Sequence, residues 1–113
     1  MSTGTKLEAV LSEITDGNIW PFVCPLEIEP DMWITYFPEK EQPVDYGDGV
    51  SQEWMLSWQV HWFAKGTQDY MNIRKDIRSA LEEAGFSVTS ILYSFEQDTK
   101  IMHLVFFSSS QSV

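Results

Sequence analysis

In residues 54–64, Trp54, Leu56, Trp58, Val60, Trp62 and Ala64 recur at every second position, which puts all six on one side of an extended strand. A helix cannot gather them, because it brings together positions three and four apart. The intervening Met55, Ser57, Gln59, His61, Phe63 and Lys65 form a mixed set suited to solvent or a moderately polar partner, so the run predicts a sheet covered on one face. Gly66 then breaks the strand, Thr67 is placed to cap a helix, and Tyr70, Ile73, Ile77, Ala80, Leu81 and Ala84 make one apolar stripe at helical spacing. A helix over Thr67–Ala84 is about 27 Å long and can lie across several strands, and Gly85 supplies its C-terminal stop. The apolar flank of this helix is expected over the tryptophan side of the strand.

The flanking segments fit around that centre. Leu7, Val10, Leu11 and Ile14 have helical spacing, with Thr5 and Glu8 spaced as a capping box and Gly17 after the end. Pro21, Pro25, Pro30 and Pro38 favour extended chain: residues 18–24 read as an edge strand or a packed loop, and Met32–Phe37 as a strand that Pro38 stops. Residues 38–53 carry two glycines and many charges without apolar periodicity, which predicts a long acidic loop. Two strand-like runs flank the polar "EQDTK" as a terminal hairpin whose core side the alternation leaves open, and residues 108–113 read as a frayed tail. The expected fold is a single α+β domain over residues 1–113 in the order α-β-β-loop-β-α-β-β: an antiparallel or mixed sheet of four to five strands with two helices on one face.

Charge and residue usage narrow the chemistry. Seventeen acidic against seven basic residues give a net charge of -10, which disfavours tight binding of nucleic acid. Arg74, Lys75 and Arg78 read as a solvated helix face. The lone Cys24 precludes an intrachain disulfide and reads as a small hydrophobe rather than an activated thiolate. The sequence shows neither a signal peptide nor a membrane span, so a soluble chain made in the cytoplasm is expected. No spacing links Cys24, His61 and His103 into a nucleophile-base arrangement, so no catalytic residue is assigned. "DYGDGVSQE" fails as a calcium loop because glycines occupy two oxygen-ligand positions, and no lysine follows Gly47 and Gly49 as in a phosphate cradle. No metal or other cofactor is expected. The tryptophan row lacks the basic funnel of a single-strand binder and reads as core.

Gln59, Val60, Trp62, Ala64 and Lys65, then Met71, Ile77, Ala80 and Leu81, resemble the central strand-turn-helix signature of the tail-completion or tail-terminator proteins of long-tailed bacteriophages and prophages. The N-terminal helix, the "WITYF" strand and the C-terminal hairpin are similar to that family's layout, so the resemblance spans nearly the whole chain. It implies a noncatalytic virion component forming a ring at the head-tail junction, with further copies of itself, the tail tube and head-completion proteins as partners. DNA passes only as cargo, and no membrane is involved. Five Trp and eight acidic residues between Glu27 and Glu53 depart from the family pattern, leaving a head-to-tail joining protein or another minor tail protein as alternatives. A small stand-alone binding module is the reading outside the particle. Glu39, Glu41, Asp45, Asp48 and Glu53 are the expected interface or channel residues, since an acidic wall repels passing DNA.

Overall fold

A computed structural model describes residues 3–44, 53–66 and 69–112. In chain order the elements are α1 (Thr3–Leu11), a single 3-10 turn (Ser12–Thr15), β1 (Ile19–Pro21), β2 (Met32–Pro43), β3 (Trp54–Lys65), α2 (Tyr70–Glu83), β4 (Ser87–Glu96) and β5 (Ile101–Ser112). The strands form one five-stranded sheet in the order β1-β2-β3-β5-β4. β1 runs parallel to β2 and every other pair is antiparallel, so the sheet is mixed. The α+β class with two helices on one face is the architecture expected from the sequence.

The alternation in β3 sets the core. Val60, Trp62 and Ala64 have no exposed surface, Leu56 and Trp58 have almost none, and Trp54 at the strand end is 44% exposed. Register puts Ile34 and Leu104 on either side of Trp62, and Tyr36 and Phe106 on either side of Val60. Leu7 and Leu11 of α1 and Ile77 and Leu81 of α2 close over this layer, all with no exposed surface. Each such side chain contributes about 2 kcal/mol of burial free energy before chain entropy is subtracted.

Local chemistry ends the helices. Gly85 takes a φ of +97°, and a pair of bonds characteristic of a left-handed helix stop follows: Phe86 N–H donates to Leu81 O at 2.9 Å and Gly85 N–H to Glu82 O at 3.1 Å. Phe86 and Leu81 are both buried, completing the apolar contact of that motif. At the start of α2 the cap is Asp69, whose Oδ1 accepts the Asn72 N–H at 3.3 Å; Thr67, the expected cap, lies outside the described residues. Thr5, the expected N-terminal cap of α1, lies within the helix, which already begins at Thr3. The Glu8 carboxylate instead accepts the Tyr36 hydroxyl, tying α1 to the sheet.

Three further expectations are corrected. Pro38 does not stop its strand: β2 runs on to Pro43, with a shift of register between Pro38 and Lys40. β1 ends opposite Tyr36, so beyond that point β2 is an edge strand, where proline is tolerated. Residues 38–43, read as the start of the acidic loop, are therefore paired strand, and Val44 N–H donates to Glu53 O at 3.0 Å across the hairpin. Nor is the chain frayed from residue 108, since Ser108 to Ser112 pair with Trp58 to Trp54 and Ser108 is 3% exposed. The ladder satisfies the backbone of these serines, which the polarity of their side chains conceals.

Candidate docking face

With both helices on one side, the sheet's other side is composed by register. Trp33 lies opposite Phe63, Thr35 opposite His61, and Phe37 opposite Gln59. Across the other edge of β3, Phe63 faces His103, His61 faces Val105, and Gln59 faces Phe107. Sequence reasoning gave this side of β3 to solvent or a polar partner. In the structure Met55, Ser57, Gln59, His61 and Phe63 are half-buried, the last three beside aromatic rings of β2 and β5.

The rings form a continuous row. Trp33 stacks on Phe63 at 5.0 Å between centroids, Phe63 on His103 at 4.2 Å, His103 on His61 at 4.9 Å and His61 on Phe37 at 5.4 Å. Phe22, just beyond β1, continues the row at 6.2 Å from Phe37. No sequence spacing links His61 to His103; the β3–β5 register brings them together, with His61 Nδ1 2.7 Å from His103 Nε2.

The hydrogen bonds determine where the protons lie. Gln59 Nε2 donates to Glu39 Oε1 at 3.0 Å, which turns the amide oxygen toward His61 Nε2 at 2.9 Å. An amide oxygen only accepts, so His61 carries its proton on Nε2, and its Nδ1 accepts from His103 Nε2–H. Burial pushes His61 down to about 4, helped by the neighbouring His103. Burial also lowers His103, and the Glu96 carboxylate opposes part of that fall. Two neutral imidazoles sharing one bond serve as a rigid polar strip inside an apolar face. Among the described residues, the side-chain bonds of this row join Glu39, Gln59, His61 and His103.

Of the five acidic residues expected at an interface or channel, Glu39, Glu41 and Glu53 are among the described residues. A bulge residue, Glu39, reaches the open face to hold Gln59, whereas Glu41 lies opposite Leu56 on the helix side, where it lines a cavity of about 430 Å³ with Gly4, Tyr36, Pro38 and Trp58. Glu53 is exposed just before β3. Asp45 and Asp48 lie outside the described residues. Cys24 is half-buried and burial pushes its thiol up, with Glu27 adding to the rise, so thiolate formation is disfavoured. Among the described residues no three or more His, Cys, Asp or Glu gather as a metal-binding group.

No family model and no curated protein matches the chain. Among solved structures it is similar to a chain from the "Virion of native gene transfer agent (GTA) particle", with a TM-score of 0.65 and 10% identity, over 96% of this chain and 89% of that one. The likeness is one of fold.

Proposed function

We propose that the chain is a noncatalytic structural subunit of a phage-like particle, a tail terminator or tail-completion protein that assembles as a ring at the head-tail junction. The observation that carries this reading is the shared fold, over nearly the full length of both chains, with a component of a gene transfer agent virion. The aromatic row supports it, since a broad apolar sheet face suits protein contact. Its partners are further copies of the chain, the tail tube and the head-completion proteins, and the protein made in the host cytoplasm ends in the virion tail. Glu39, Glu41 and Glu53, together with Asp45 and Asp48, meet a neighbouring subunit or the channel, where like charge keeps passing DNA from adhering.

The test compares particles assembled with the gene intact and deleted, viewed by electron microscopy. Deletion should give tails that do not join heads or are irregular in length, and a labelled antibody should mark the head-proximal tail end of intact particles. Normal, infectious particles lacking the chain would remove the proposal.

A further inference from the structure

The two edges of the sheet differ in kind. β1 is three residues long, ends in Pro21 and leads into residues 22–31, where Phe22, Val23 and Leu26 are 67%, 68% and 94% exposed. This segment also carries Glu27, Glu29 and Asp31, all exposed, and no basic residue. At the far edge, β4 offers ten residues with neither proline nor lysine, and Leu92, Tyr93 and Phe95 are 56%, 48% and 48% exposed. Past the register shift between Val88 and Ser90, β4 pairs regularly from Ser90 to Glu96, and a regular edge of this kind is a template for another chain.

The flank of α2 beside that edge carries two arginines against one acidic residue, Glu82. Tyr70 meets Tyr93 of β4 edge to face at 6.3 Å, and Arg74 and Arg78 follow Tyr70 at four-residue steps on the same flank. The opposite flank, with Asp76, Ser79 and Glu83, faces Val10 and Ile14. Arg78 pairs loosely with Glu82 at 3.5 Å, and the buried Arg74 Nε finds no acceptor among the described residues.

We infer that the acidic, apolar segment 22–31 of one copy docks on the β4 edge and the Arg74–Arg78 flank of a second copy. Within one chain the two surfaces cannot meet, because β2, β3 and β5 separate β1 from β4 by about 19 Å of sheet. Each copy thus carries one half of the contact at either end, a head-to-tail arrangement whose repetition closes into a ring when the rotation fits. This contact rests on the ring assembly proposed above and names its surfaces.

The experiment is charge reversal followed by sedimentation of the purified full chain, with circular dichroism to confirm folding. Glu27→Lys with Glu29→Lys, and separately Arg74→Glu with Arg78→Glu, should each weaken self-association by about tenfold or more. Combining all four substitutions restores opposite charges across the contact and should return association to near the wild-type level. A double variant that associates like wild type, or a quadruple variant that stays dissociated, overturns the contact. So does a wild-type chain that remains monomeric up to about 1 mM, whereas membership of the particle is judged separately by the deletion experiment.

Discussion

Acidification should destabilise the protein through His61, and the structure sets the size of the effect. Burial, helped by the neighbouring His103, pushes the ring down to about 4 in the folded chain from the ordinary 6.5 of a free imidazole. Because the folded pKa is depressed, the unfolded chain binds the proton first as pH falls, so stability is complete above about 6.5 and is lost progressively toward 4. At about pH 5 the full displacement corresponds to about 2 kcal/mol; the ring is only half-buried, so solvent screening reduces this to about 1 kcal/mol. Urea unfolding at about pH 7.5 and pH 5 measures the loss, with His61→Gln as the reference that removes the titrating ring while other groups contribute in both proteins. Wild type should lose about 1 kcal/mol more than the variant across this interval. Equal losses, or an NMR titration placing His61 near 6.5, would refute the buried, hydrogen-bonded pair as the cause.

Trp62→Ala, at a site with no exposed surface, should cost about 3–5 kcal/mol in urea unfolding, while Trp54→Ala at the 44% exposed strand end should cost far less. Gly85→Ala should lose about 1 kcal/mol from its positive φ alone, since the added carbon meets nothing nearer than Lys6 Nζ at 4.0 Å. Tyr36→Phe removes the hydroxyl bonded to Glu8 and should destabilise by about 1–2 kcal/mol at neutral pH, with little further loss when Glu8→Gln is added. A loss that is fully additive in that double variant would show that the two side chains do not act together.

Elements governed by local periodicity were legible in the sequence: β3 from its two-residue alternation, and the stripe and Gly85 stop of α2 from helical spacing. The C-terminal hairpin was legible as a pair of strands but not as a pair of faces. A register shift between Val88 and Ser90 lets Val88 and Ile91, of opposite parity, both pack against the core. Pro38 misled because its cost depends on whether a neighbouring strand needs its missing N–H, a question of sheet order. The docking face was hidden for a related reason. His61 and His103 are 42 residues apart, and only the β3–β5 register makes them neighbours.

The irregularity at Glu39 has a consequence that reaches two strands away. The Glu39 oxygen that accepts from Gln59 Nε2 dictates the amide's orientation, and the amide in turn dictates the tautomer of each imidazole beyond it. Replacing that carboxylate with an ammonium would reverse every donor and acceptor along the line as far as β5. A single residue out of step at the sheet's margin thus gives the centre of the aromatic surface its polarity, and any molecule settling there meets a directional dipole chain.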